Sequence, residues 1–337
     1  MDNRLTKRRL SDFLSYEWIM IIVVIIAAII LWELVYTMTA VKLTSGQQFK
    51  YYYDQNMSSL NDSEFYSIIT DNDDPTFSYD ILSVGSEALT SEYNVLNVRL
   101  SVYEGDVIFT DSVEEENGAS RAKSIIDSER VYVMGDLLTD GVNYLGKFLK
   151  DEYNDVSDKK SLVFDYGNLD ETKIRANFLE RMKKDNRFRS DAQKEEGFSL
   201  ECERIKKVCA ELEKFDYLMS VGEEKGLFYR YTKYSQSFKE SQDNADLQAA
   251  LDHEISEGRE NAVYGINLEK LTGGKHSVAE YFRRADKTDA AEALLLAFDF
   301  YDVADAKLTD LQFETVSFIN KIVDEFSDIY SSRQGEA

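Results

Sequence analysis

Trp18 to Trp32 reads WIMIIVVIIAAIILW without a charge, and after Glu33 the apolar character resumes through Leu34, Val35 and Tyr36. A helix of about 20 residues, rising 1.5 Å per residue, crosses a hydrocarbon layer ~30 Å thick. Trp18 at one end and the pair Trp32 and Tyr36 at the other stand one membrane thickness apart, where amphipathic rings favour the two interfaces. The sequence therefore predicts a membrane-spanning anchor over 17–38. The alternatives are a buried core helix and a cleaved signal peptide. A signal peptide has an apolar stretch of roughly 7–15 residues and a small-x-small cleavage site. Here the stretch is longer, and Tyr36-Thr-Met-Thr-Ala40 is a poor site with no lipobox-like cysteine after it.

Upstream lie Arg4, Lys7, Arg8 and Arg9; downstream only Lys42 and Lys50 are near. That asymmetry keeps the basic end, 1–16, in the cytoplasm and puts the rest outside. No later stretch approaches the length of a span, so the expected topology is single-pass. Residues 1–37 carry four basic and four acidic groups, which leaves the whole formal charge of −24 to the outer part. Such a body repels nucleic acid, and nucleic-acid binding is excluded. Two cysteines and two histidines make a zinc cluster, a disulfide framework or an iron–sulfur set improbable, and no metal or other cofactor is expected.

With 337 residues and 43% hydrophobic content, the chain has enough material for a sizeable core. Residues 39–75 read as a juxtamembrane segment, with Tyr51–Tyr53 on a short helix and Thr70-Asp-Asn-Asp-Asp-Pro75 as a loop. That loop lacks the glycine and terminal glutamate of an EF-hand. From 76 to 331 an α/β body is expected, helix-rich in its C-terminal half, followed by a disordered tail, 332–337. Strand patterns fall at 79–84, 93–103, 106–110, 131–134, 162–164, 227–234 and 263–266. Helices fall at 119–128, over 137–148, at 174–182, over 205–219 behind Ser199, at 245–255, and at the end behind the capping boxes Ser277–Glu280 and Thr309–Gln312. Cys202 and Cys209, seven apart on one helix, stand ~10 Å apart, too far for a disulfide.

Thr272-Gly-Gly-Lys-His-Ser277 fails as a phosphate loop, because Glu269 and His276 occupy the positions that need glycine and Ser or Thr. His253 and His276 have no nucleophile-elbow serine to serve. Paired carboxylates can always be found among 63 acids and signify nothing. No enzyme is indicated. Tyr229, Tyr231 and Tyr234, interleaved with Arg230 and Lys233, are the candidate ligand-binding residues, since aromatic rings beside hydrogen-bonding groups suit polar organic ligands. Ordinary cross-strand packing is the other reading. Asn56-Met-Ser58 and Asn61-Asp-Ser63 match glycosylation acceptors, relevant only to a eukaryotic secretory setting.

Phe13-Leu-Ser-Tyr-Glu-Trp18 before the anchor, Asn97–Asp111 (NVRLSVYEGDVIFTD), Tyr264-Gly-Ile-Asn-Leu268 and Leu311-Gln-Phe-Glu314 together resemble bacterial membrane-anchored relatives of extracellular solute-binding proteins. The resemblance implies a two-lobed, periplasmic-binding-protein-like α/β body with a hinge cleft. Such a body captures a small polar solute and offers it to an ABC-type permease. It also implies a helix, in place of a strand, over 93–103. There is no tryptophan beyond the anchor, so a stacking platform would fall to Tyr or Phe. A non-catalytic envelope scaffold, whose acidic body docks a protein partner, is the alternative.

Overall fold

A computed structural model describes residues 7–39, 43, 45–54, 62–71, 75–89, 93–113, 120–128, 130–151, 156–241, 244–282, 293–299 and 308–331. The chain divides into two units, 1–42 and 43–337. In the first, Lys7–Thr39 is one continuous helix, α1. Its window Trp18–Tyr36 spans 19 residues with a mean hydropathy of 2.9, and is long and apolar enough to cross a membrane. Among the described residues none of that window is buried: Trp18, Trp32 and Tyr36 are 52%, 70% and 62% exposed. Lys7, Arg8 and Arg9 open α1, while Arg4 lies outside the described residues.

The second unit is built on a six-stranded mixed sheet. In chain order its strands are β1 (Gln48–Asp54), β2 (Ser83–Leu89), β3 (Val107–Asp111), β4 (Phe228–Tyr231), β5 (Ala262–Asn267) and β6 (Ala293–Ala297), laid out as β2-β1-β3-β6-β5-β4. β1 runs parallel to both β2 and β3; β6, β5 and β4 continue the sheet in antiparallel steps. Every residue of β3 and of β6 is buried, as in strands covered on both faces.

The two-residue period divides those side chains between two cores. Phe49, Tyr51, Val107, Phe109 and Leu295 point to one side, and Tyr52, Ile108, Leu294 and Leu296 to the other. The first side is covered by α2 (Asp62–Ile69), α5 (Met134–Gly146), α8 (Asp191–Gly222) and α12 (Leu308–Phe326), which carry Phe65, Leu137, Leu212 and Phe318 into the core. The second is covered by α3 (Tyr93–Ser101) and α4 (Arg121–Asp127), through Leu96, Leu100, Ile125 and Ile126. An α/β body is thus present, helix-rich toward its C-terminal half, where α9 (Ser235–Glu240), α10 (Ala245–Ser256) and α11 (Val278–Tyr281) lie between α8 and α12 in chain order. Its described residues make one sheet; a second lobe and a hinge cleft are not among them.

Several local expectations are overturned. Tyr51–Tyr53 belong to β1, beside the centre of the sheet, and not to a short helix. At 93–103, where the sequence leaves strand and helix both open, residues 93–101 are helical: the buried pair Leu96 and Leu100 lies four apart while Val95 and Val98 face solvent, a spacing that mimics alternation over a short window. Leu162–Phe164 closes α6 (Val156–Val163) instead of forming a strand. At 131–134 only an isolated bridge, Val131 to Phe298, is made. The strand expected at 79–84 begins at Ser83. Ser199 sits inside α8, whose true cap is Ser190, in a reciprocal box with Gln193. Residues 332–337 and both glycosylation triplets' leading asparagines lie outside the described residues.

Candidate functional site

From β1 the chain passes through α2 to β2 on one side, then through α3 to β3 on the other. In open α/β sheets such a reversal leaves a crevice outside the carboxyl ends of the diverging strands, where ligands bind. Here those ends are Asp54 of β1 and Thr110-Asp111 of β3. Asp54 is buried, accepts a 2.5 Å hydrogen bond from the Thr110 hydroxyl, and pairs with the Arg121 guanidinium from the first turn of α4. Burial pushes the Asp54 carboxyl up to about 6, outweighing the pull of Arg121 and Thr110, and Asp111 raises it further. Asp111 in turn accepts from the Val113 backbone N–H at 3.1 Å, and Ser120 caps α4 by accepting from Lys123 N–H at 3.3 Å. Asp54, Thr110 and Arg121 thus form a buried hydrogen-bonded ion pair at the carboxyl ends of β1 and β3.

The three tyrosines anticipated as ligand-binding are brought together, but by packing. Tyr231 and Tyr234 are buried and Tyr229 is half-buried; Tyr231 and Tyr229 belong to the second core. Asp127, at the end of α4, fastens the turn after β4. It accepts from Tyr231 Oη at 3.2 Å, from the Tyr234 backbone N–H at 2.7 Å and from Ser237 Oγ at 2.5 Å. Tyr234 holds φ at +64°, a left-handed conformation that this carboxylate supports. Lys233 lies 5.3 Å from the Tyr234 ring centre.

The Thr272–Ser277 loop serves packing as well. Gly273 adopts φ +85°, and a Cβ on Gly274 would meet the backbone of Glu325, Phe326 and Ser327 at the end of α12. Lys275 and Lys321 both pair with Glu325, at 3.0 and 3.1 Å. Among the described residues no group of three or more His, Cys, Asp or Glu could hold a metal ion. Cys202 and Cys209 are free thiols on α8, and burial raises both.

Asp54, Thr110 and Arg121 were missed by sequence reasoning. The signal was there: both parallel strands, YYYD and VIFTD, end an apolar or aromatic run on an aspartate. No protein-family model, curated protein or solved structure matches this chain.

Proposed function

We propose that this chain is a membrane-tethered, non-catalytic binding module whose acidic body lies outside the cytoplasm. The observation that carries this is the bare 19-residue apolar window of α1 in a unit separate from a body with its own double-sided core. A helix with no protein cover over so long an apolar stretch is matched by lipid. The basic residues before it orient the anchor. The body's task is to take a small polar solute at the carboxyl ends of β1 and β3 and present it to an ABC-type permease. Support for that comes from the strand order around β1 and from the resemblance in the sequence.

A second reading, an envelope scaffold that docks a basic protein partner, is favoured by one observation. Two of the three candidate tyrosines, Tyr231 and Tyr234, are buried and tied to Asp127. Two experiments separate the possibilities. Protease added to intact cells should remove the body while sparing α1; protection in intact cells, with digestion after lysis, would refute the topology. Thermal shift against sugars, amino acids and short peptides should find a stabilising solute, since a ligand held only by the native state raises the melting temperature. Silence across the panel, together with salt-sensitive capture of a basic membrane protein, would establish the scaffold instead.

A further inference from the structure

Residues 173–194 carry eight basic and three acidic side chains in a chain whose net charge is −24. Four of the eight are engaged elsewhere. Arg181 is largely buried against Asp80 and Glu201, half-buried Arg187 pairs with Asp80 and Asp185, Arg175 pairs with Glu195 at the surface, and Lys173 donates to the Leu149 carbonyl at 2.6 Å. Lys183, Arg189 and Lys194 are placed differently: all three line one cavity of about 530 Å³ at the α7–α8 junction, α7 being Glu171–Arg181. They come from three separate elements, the single turn Met182–Lys184, the segment after the turn Asn186–Phe188, and the first turns of α8.

We propose that this cavity binds a phosphate-bearing anion with a small apolar moiety. Three cations lining one cavity from three separate elements suit a tetrahedral, multiply charged group. Their present partners are weak competitors: Lys183 faces the exposed Glu180, Lys194 the fully exposed Asp191 at 3.3 Å, and Arg189 only the neutral Asn186. Met182 and Phe188 supply an apolar floor, with Leu179 at the edge. Asp185 also lines the cavity, but its carboxylate accepts from Arg187 at 2.9 Å and from Gln47 Nε2 at 3.1 Å, so its charge is compensated. The walls are held in advance of binding, because Arg187 also donates to the Tyr79 carbonyl at 3.0 Å and Arg181 to Asp80 at 2.6 Å. The acidity of the remaining surface disfavours a long polyanion, so the ligand is small. Phosphate ester of this kind reaches an envelope protein either as a lipid headgroup or as a soluble metabolite. The cavity keeps its chemistry on either side of a membrane, so failure of anion binding would leave the topology reading standing.

The test uses the full chain in a non-ionic detergent. Isothermal titration with inorganic phosphate, against chloride at equal ionic strength, should show saturable binding to one site. The K183A/R189A/K194A variant, whose three side chains are exposed or half-exposed, should melt as the parent does and bind roughly tenfold more weakly or worse. K206A/K225A/K270A, which removes the same charge elsewhere, should bind phosphate as the parent does. Dihexanoyl phosphatidylglycerol, below its micellar concentration, distinguishes the sources: tighter binding than inorganic phosphate identifies a lipid headgroup, equal or weaker binding a soluble phosphate. No saturable phosphate binding, or equal weakening by both triple variants, overturns the assignment.

Discussion

Asp106 should make this protein lose stability as pH rises through neutrality. It precedes β3, is 5% exposed, and accepts the Lys50 backbone N–H at 2.7 Å. Burial pushes its carboxyl up to about 8 from 3.8; the Lys50 amide opposes that rise and the Glu314 carboxylate adds to it. In the unfolded chain the group ionises near its ordinary value. Between about pH 4 and pH 8 the native state therefore holds one proton more than the unfolded state, and stability falls by up to ~1.4 kcal/mol per pH unit. From pH 6 to pH 8, where the slope flattens near the folded pKa, the loss is ~2 kcal/mol. For a body of about 295 residues, unfolding entropy near 2 cal/mol/K per residue makes that a fall of roughly 3 °C in Tm. Asp54, raised to about 6, acts in the same direction but mostly at lower pH. Glu87, Glu104 and Glu325, all lowered by their lysine and arginine partners against the cost of burial, lose stability only on acidification below the usual carboxylate range. The assay is thermal melting of parent and Asp106→Asn at pH 6 and pH 8 and constant ionic strength. The variant keeps an acceptor for Lys50 N–H and no longer titrates. Its stability relative to the parent should be ~2 kcal/mol more favourable at pH 8 than at pH 6, whatever fixed cost the amide brings. A difference that does not move with pH would refute the reasoning.

Three further expectations rest on local geometry. Leu96→Asp should abolish folding while Val98→Asp should change Tm little, because Leu96 is 2% and Val98 62% exposed on α3; a strand would put both on one face and give them the same fate. Gly274→Ala should cost 1–3 kcal/mol, on the order of other overpacking changes, since its Cβ meets immovable backbone, whereas Gly135→Ala, with open space around it in α5, should gain up to ~1 kcal/mol. Ser190→Ala should cost about 1 kcal/mol by removing the cap of α8, and Ser199→Ala, in its interior, should cost nothing; denaturant melts check both pairs.

Elements with long, consistent periodicity were legible. The stripe Ile205, Val208, Leu212 and Phe215 runs far enough along α8 to distinguish period 3.6 from period 2, and the last helix repeats this through Phe318, Ile322 and Phe326. Short windows were not. Tyr51–Tyr53 is aromatic throughout because β1 is covered on both faces, which erases the alternation that identifies a strand. Residues 93–103 failed in the opposite way, since Leu96 and Leu100 are an even number apart and fit either period. The start of α8 was misplaced because Ser199, followed by Glu201 and Glu203, imitates a helix opening. The capping box at Ser190 and Gln193 is followed by Lys194-Glu-Glu-Gly197, with no apolar run to mark a helix opening.

The candidate sites were hidden for a different reason. A lone aspartate at a strand end acquires meaning only once strand order is known, and strand order is set by long-range pairing that local periodicity does not encode. The anticipated tyrosines show the converse: their interleaving with Arg230 and Lys233 is real, but the carboxylate that holds them, Asp127, comes from another helix about a hundred residues earlier. The basic run at 173–194 is visible as composition, yet only the structure sorts it. Arg181 and Arg187 serve the interior by locking the Tyr79-Asp80 segment to the helices, and that duty is what leaves Lys183, Arg189 and Lys194 together around a cavity. Removing Arg181 should therefore damage the fold, and removing Lys183 should not, although the two residues differ little in sequence terms.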